Sequence, residues 1–511
     1  MAQDNNTIKN AASANEHDVK ITACTMIKYV YSIIVLIFST VVIMALIFNE
    51  DTNLSRNVHS VLGFAAIWVA LIWLGMVEGS QASLVGLPPI DRDLYKDSHP
   101  IAYKITSVAH KGDNLDRYLM GRQFMVLLIV FVTNLAGAPL ESASVFGWPD
   151  TFQNIFVVSG LAMTLLTAMV GQLATQVNAS HCMLDYLNSY FALFTVFVAM
   201  AIEFSGIMHA SYLIQMLVVK LARKTLVSKE EPRTLLQGFF FWFRCLLSVA
   251  ILIFSFAVTI AALFEGKTTM WAGVPEVVAL ILFFVLMSIV GMLEGMQIAF
   301  FAVAKLPESE RGNSTFAKKT CELLFRGNGQ NLPGFMVGRQ LTVVCCFFII
   351  ARVTTLDVNI GTDENVLGVP DGVQAFLNTG LHAAVITTIV ASIAWQLVAS
   401  AFPIAFLSNP ITYILLQICL FLEATGICAG AWVLALIQKK FLGFKYDEMY
   451  IGTPEDRAAQ KKADHEEDIR ETAGHLPGSA FPAGATPVGA NDEDPNIIGL
   501  KQAPQEGLET I

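Results

Sequence analysis

Charge is what this chain has least of: 14% of its 511 residues are charged and 54% are hydrophobic. So few polar side chains cannot cover a water-soluble fold of this length. The glycine loops that cradle nucleotides are absent, both GxxxxGK and GxGxxG, and so are HExxH and CxxC. ATP hydrolysis, dinucleotide chemistry and zinc hydrolysis therefore lose their usual signatures. The eight cysteines, Cys24, Cys245, Cys345, Cys346, Cys419 and Cys428 among them, lie scattered through or beside apolar runs, which suits small reduced hydrophobes and no disulfide framework. The formal charge of −10 says nothing about a solute, because the acids gather in the tail after about residue 446.

Long apolar runs are what the chain has instead, repeatedly exceeding the roughly 20 residues that cross a bilayer. The first, "YVYSIIVLIFSTVVIMALIF" at 29–48, is too long for a signal peptide and reads as a retained span. Ten candidate spans fall near 23–48, 59–86, 119–139, 152–174, 190–217, 237–264, 273–304, 336–356, 375–398 and 403–437. Longer polar loops occupy 88–118 and 305–335, and a basic linker, "KLARKTLVSKEEPR", occupies 220–233. The chain divides into a polar N-terminus (1–22), a first set of spans (23–217), a linker (218–236), a second set (237–437) and an acidic tail (438–511). Of the tail only 455–472 looks helical, and the Gly- and Pro-rich remainder reads as disordered.

The second set echoes the first. "GMVEGSQ" at 75–81 returns as "GMLEGMQ" at 291–297, and "MGRQ" at 120–123 as "VGRQ" at 337–340. Gln176, Glu203 and Gly206 return as Gln396, Glu423 and Gly426, at an offset that has drifted only from 216 to 220. Such constancy means duplication. The expected fold is an all-α integral membrane protein of about ten helices in two five-helix repeats. Five spans is an odd number, so the second repeat should enter the membrane inverted, as in many secondary transporters. One feature opposes this: both long loops and the linker are basic, and inverted repeats cannot place all three on the cytoplasmic side.

Within each repeat a carboxylate and an amide, Glu78 with Gln81 and Glu294 with Gln297, stand three residues apart and so share a helix face. The glycines beside them, Gly79 and Gly295, are expected to loosen the helix, as are Gly121 and Gly338. About forty residues on, Arg122-Gln123 and Arg339-Gln340 supply a guanidinium fork and an amide. A carboxylate accepts, a guanidinium donates and an amide does both, a set suited to a small neutral solute rich in hydroxyls. The plainer reading is that Glu78 neutralises Arg122 and Glu294 neutralises Arg339 without touching a solute. Burying an acid in a bilayer is costly enough to favour function.

The paired EGxQ and GRQ motifs, on some ten spans followed by a polar tail, resemble the silicon transporters of diatoms, and "CMLD" at 182–185 is also found in that family. The resemblance implies sodium-coupled uptake of silicic acid across the plasma membrane for building a silica wall. Both chain ends are expected on the cytoplasmic side, and no organic cofactor is expected. It places substrate contacts at Glu78, Gln81, Arg122, Gln123, Glu294, Gln297, Arg339 and Gln340, and alternating access as the mechanism. Sodium, the coupling ion, is expected on unwound carbonyls near Gly79 or Gly295 together with Ser80. Family members often carry a C-terminal coiled coil, and the tail here lacks sustained heptads. A passive channel for silicic or boric acid would share the polar lining, and a membrane enzyme or sensor stands as a further alternative.

Glu203 and Glu423 lie inside their spans at matching positions, as coupling groups or as packing contacts. Lys28 and Arg244 also correspond and are expected to snorkel to the interface. Cys182 and Asp185, with His181, form at most an incomplete metal site, since two or three ligands do not close a tetrahedron.

Overall fold

Thr22 opens the first helix by accepting a hydrogen bond from the Thr25 amide, and the apolar run behind it makes α1 (Ala23–Phe48). The computed structural model describes residues 22–460 apart from 53, 56–57, 141–142, 144, 159, 226–229, 231, 272 and 327–330. The first half continues as α2 (Ser60–Gly86), α3 (Pro100–Ala109), α4 (Asn114–Gly137), α5 (Asp150–Ala179), α6 (Met183–Leu187), α7 (Tyr190–Glu203) and α8 (Ala210–Leu221). The second repeats the order as α9 (Leu235–Phe264), α10 (Glu276–Ala304), α11 (Thr315–Leu324), α12 (Asn331–Thr354), α13 (Leu381–Ala401), α14 (Pro403–Leu407), α15 (Pro410–Ala424) and α16 (Gly430–Leu442). Duplication extends to backbone detail. Left-handed glycines recur at 160 and 380 and at 206 and 426, and π-helical turns recur at 167–173 and 387–393.

Among the described residues eight helices are long and apolar enough to cross a membrane: α1, α2, α4, α5, α9, α10, α12 and α13. The fifth candidate of each half is instead two short helices. With 14, 12, 15 and 13 residues, α7, α8, α15 and α16 reach about 21, 18, 22 and 20 Å, each short of the roughly 30 Å hydrocarbon layer.

Contacts between chain ends show where these short helices lead. The Arg117 guanidinium, at the start of α4, pairs with Glu230 of the linker after α8 at 2.8 Å. Lys224, just past α8, lies over the Phe402 ring at the end of α13, 4.7 Å from its centroid. Ser314, before α11, bonds Ser408, after α14, at 2.9 Å. Asn178 of α5 donates to Gln438 of α16 at 2.8 Å, and Lys305, past α10, reaches Asp447, past α16, at 3.0 Å. All these ends share one face. The opposite face holds the isolated bridges Thr52 to Pro139 and Thr268 to Leu356. Each short pair therefore starts and finishes on the same face as a hairpin.

Backbone freed at a hairpin tip inside lipid must find partners. The Ser248 hydroxyl of α9 accepts from the Ala210 amide at 2.9 Å and donates to the Ile207 carbonyl, and Ser32 of α1 does the same for Gly430 and Ile427, both at 2.7 Å. The first helix of each half thus secures the hairpin of the other. Lys28 and Arg244 belong to these tips and do not snorkel away: their stems pack on Gly426 and Gly206, and Arg244 donates to the Phe204 carbonyl at 3.2 Å.

Ten spans in inverted repeats are thus not what the described residues display: eight helices have membrane-crossing length, and the fifth candidate of each half is a pair of short ones. Hydropathy sums across a break as short as 204–209, so two half-depth helices read as one span. Four long helices and a hairpin bring each half back to the face where it began, so among the described residues the two halves follow the same course. The two basic loops and the basic linker then lie together, and the conflict in the sequence disappears.

The tail also differs from expectation. Helix α16 runs on to Leu442, and residues 443–457 pack as a strap on the shared face. Asp447, fully buried, accepts from the Met183 and Leu184 amides at 3.1 and 3.0 Å, capping α6. Its neighbour Glu448 takes Lys305 at 2.6 Å. Asp185 accepts from the Lys445 amide at 2.6 Å and lies 3.0 Å from His99. Residues 461–511, with most of the helix expected over 455–472, lie outside the described residues.

Candidate functional site

Helices α2 and α10 pack against each other, and their last turns are buried all round, from Val77 to Gly86 and from Leu293 to Phe301. Glu78 stands there, about 12 Å from the end of α2, and Arg122 lies about as far inside α4. Their ion pair, Glu78 Oε2 to Arg122 Nη2, measures 2.6 Å, and its counterpart, Glu294 Oε1 to Arg339 Nη1, measures 2.8 Å. Each carboxylate keeps its second helix partner: Gln176 Nε2 donates to Glu78 Oε2 and Gln396 Nε2 to Glu294 Oε2, both at 2.8 Å. Both glutamines are fully buried.

The amides join the halves. Gln396 approaches Gln123 Oε1, and Gln81 approaches Gln396 Oε1, each at 3.5 Å, the long end of hydrogen bonding. Arg122 donates to Gln123, and Arg339 to Gln340 at 3.2 Å. The structure thus links Glu78, Gln81, Arg122, Gln123, Glu294, Arg339 and Gln340 in one network, with Gln297 on the same face of α10. Gln176 and Gln396 are the members sequence reasoning left without a role. Their signal was present: both are polar, in apolar runs, at the repeat offset, and each follows a π-helical turn, a distortion frequent at functional sites.

The network is not fully satisfied. Three buried donors, Arg122 Nε, Arg339 Nε and Gln297 Nε2, and two buried acceptors, Gln81 Oε1 and Gln176 Oε1, have no hydrogen-bond partner. Each such atom costs about 1–3 kcal/mol. A ligand carrying several hydroxyls answers both kinds, since every O–H donates and accepts.

The four glycines do not break helices. Helices α2, α4, α10 and α12 continue through Gly79, Gly121, Gly295 and Gly338, where the missing side chain instead lets neighbours approach. A methyl on Gly121 would overlap the Ala199 carbonyl of α7, one on Gly338 the Cys419 carbonyl of α15, and those on Gly79 and Gly295 the rings of Tyr186 and Phe406. The hairpins therefore press directly on the helices that carry the arginines. Carbonyls near Gly79 and Gly295 sit within regular helix, and the Ser80 hydroxyl points to the Met76 sulfur, so the unwound sodium ligands expected there are not formed.

Glu203 and Glu423 lie outside the network, at the hairpin tips: Glu203 bonds His209 Nε2 at 3.2 Å, and Glu423 borders Gly334. Cys182 and Asp185 are not a metal site. The Asp185 carboxylate is taken by His99, Lys445 and the Tyr450 hydroxyl, and no group of three metal-binding side chains occurs among the described residues. At this end of the bundle burial raises the Cys182 thiol to about 12 and lowers His181 to about 4. Burial also raises Asp447, against the opposing pull of Lys305.

The fold defines a class: a polytopic helical membrane protein with a buried hydrogen-bonded network at the junction of two like halves. The chain belongs to the silicon transporter family, whose model matches residues 20–496. No curated protein and no solved structure matches it. Membership implies transport of silicic acid, a tetrahydroxy acid whose chemistry agrees with a site holding both unpaired donors and unpaired acceptors.

Proposed function

We propose that this chain imports silicic acid together with sodium by alternating access, using eight spans and two hairpins that meet at the network around Glu78 and Glu294. The observation that carries the reading is the set of buried unpaired donors and acceptors between two Glu–Arg pairs. Silanol groups donate to Gln81 and Gln176 and accept from Arg122, Arg339 and Gln297. The 3.5 Å amide contacts around Gln396 are the ones a solute displaces at least cost. Alternation comes from the hairpins, which touch the arginine helices backbone to backbone at Gly121 and Gly338 and are each held by the first helix of the other half.

Orientation follows from charge. Arg92, Lys96, Lys104, Lys111, Arg223, Lys224, Arg311, Lys318 and Lys319 gather in segments of the shared face, which is accordingly cytoplasmic, with both chain ends. The membrane is the plasma membrane, since uptake from outside is the task.

Uptake of silicic acid, with germanic acid as its analogue, into proteoliposomes with and without an inward sodium gradient tests this. Concentrative uptake that needs sodium is expected. Downhill flux indifferent to sodium would mean a channel, and no flux of either acid would overturn the substrate.

A further inference from the structure

The two halves differ where each hairpin's returning helix meets its neighbour. Helix α8 lies against α13 and α14 across an open cavity of about 330 Å³, lined by Val218, Lys224, Trp395, Val398, Phe402 and Ala405 among others. In the equivalent place, 220 residues displaced, α16 lies against α5 and the segment after it covers α6, and there the chain fills its own groove. The Phe444 ring packs on Tyr186 with centroids 5.9 Å apart, the Lys445 amide bonds Asp185, and Gln438 takes Asn178. Asn178, Cys182 and Asp185 occupy the positions that Val398, Phe402 and Ala405 occupy in the open groove; Asn178 holds α16 and Asp185 holds the strap.

The exchange decides what the open groove can accept. A peptide laid there would bury most of its backbone amides unpaired, since Lys224, Asn409 and the Trp395 indole are the lining side chains with hydrogen-bonding groups, at a cost of about 1–3 kcal/mol for each unpaired amide on the scale of protein substitutions. A hydrocarbon chain meets no such cost. At its mouth the groove carries Lys224, with Lys220 and Arg223 exposed beside it, a cluster that favours a negative headgroup on the same membrane face. Among the described residues, none of the linker beyond Lys224 lines the groove.

We propose that this groove binds one acyl chain of an anionic membrane lipid, with the headgroup at Lys224 and the chain running inward to Trp395. The Trp395 indole lies over Gly291, three residues before Glu294, so the lipid ends beside the helix segment that carries the second ion pair.

Tryptophan quenching by lipids brominated on the acyl chain tests the assignment, on the full chain in phosphatidylcholine vesicles, with the Trp395 contribution taken as the difference from Trp395→Phe. Brominated phosphatidylserine should quench Trp395 at a mole fraction roughly fivefold lower than brominated phosphatidylcholine, and Lys224→Gln should remove that preference. No quenching of Trp395 by either lipid overturns the groove as a lipid site. Equal quenching by both, unchanged in Lys224→Gln, overturns the anionic headgroup. If Trp395→Phe does not fold, native mass spectrometry decides the same question: phosphatidylserine should stay on the native chain and leave Ala405→Phe, whereas no adduct on the native chain refutes the site. No transport is read in either experiment, so their failure leaves the uptake proposal standing.

Discussion

Gln176 and Gln396 hold equivalent positions but bear unequal loads. Gln176 serves one carboxylate, whereas Gln396 serves Glu294, Ser392 and Gln123 while accepting from Gln81, so of the two glutamines it is Gln396 that joins the halves. A hydrogen bond to a charged group contributes about 1.5–3 kcal/mol, which is roughly a 10- to 100-fold change in transport efficiency. Gln176→Leu should fall in that range. Gln396→Leu should fall beyond it, with protein still in the membrane, and initial-rate uptake of germanic acid compares the two directly. Equal losses would mean that the bridge between halves carries no function. The paired motifs were legible because a carboxylate or guanidinium in an apolar run has few structural excuses. The glycines were misread because sequence cannot tell a residue that loosens a helix from one that admits a neighbour. Gly121→Ala and Gly338→Ala settle the difference: overlap with the Ala199 and Cys419 carbonyls predicts a loss of about 3 kcal/mol or more, seen as a lowered melting temperature in detergent, whereas a helix-loosening glycine would give a gain near 1 kcal/mol.

Helices, loops and strap were legible in proportion to how much of their reason was local. Apolar length announced the eight long helices. The hairpins stayed hidden because their breaks are brief and their stabilising partners, Ser32 and Ser248, come from the opposite half, 395 and 38 residues away in sequence. Ser32→Ala and Ser248→Ala each leave a buried amide and carbonyl without that partner, and each should lower stability by about 1–3 kcal/mol with faster hydrogen exchange at the hairpin tip of the other half. Exchange confined to the mutated helix would contradict the cross-half assignment. The strap was hidden for the opposite reason: its composition is polar, and what distinguishes it from a free tail are contacts distant in sequence, Asp447 and Glu448 with Lys305, Lys445 with Asp185 and Phe444 with Tyr186. His181, under the strap with its ring 5.7 Å from Tyr446, has a pKa lowered to about 4 by burial and the nearby Lys305. A histidine held neutral by folding favours the docked strap above its free pKa near 6.5, and that preference is lost as pH falls toward 4. Asp447, raised by burial, works in the opposite sense. His181→Phe separates the two. Proteolysis of 443–457 in the native chain should quicken between pH 6.5 and 4 relative to pH 7.5, and the variant should lack that component.

For the whole molecule, parity decides direction. An odd number of crossings per half forces inversion, and an even number with a return forbids it, so the entire topology rests on whether 190–221 and 410–442 cross or turn back. Charge already carried the answer in the sequence, because three basic segments demanded one face. The even count follows from Lys224 lying on Phe402, Glu230 on Arg117 and Ser314 on Ser408. Single cysteines at Lys104, Arg223, Lys319 and Lys440, placed one at a time in a chain whose native cysteines are replaced, should all react with a membrane-impermeant maleimide from the same side of right-side-out vesicles, and a cysteine at Glu265 should react from the other. An inverted arrangement predicts instead that Lys104 and Lys319 label from opposite sides. That outcome would return the short helices to full crossings, separate the strap from the groove it is compared with, and require the two Glu–Arg pairs to face each other across an axis lying in the membrane plane.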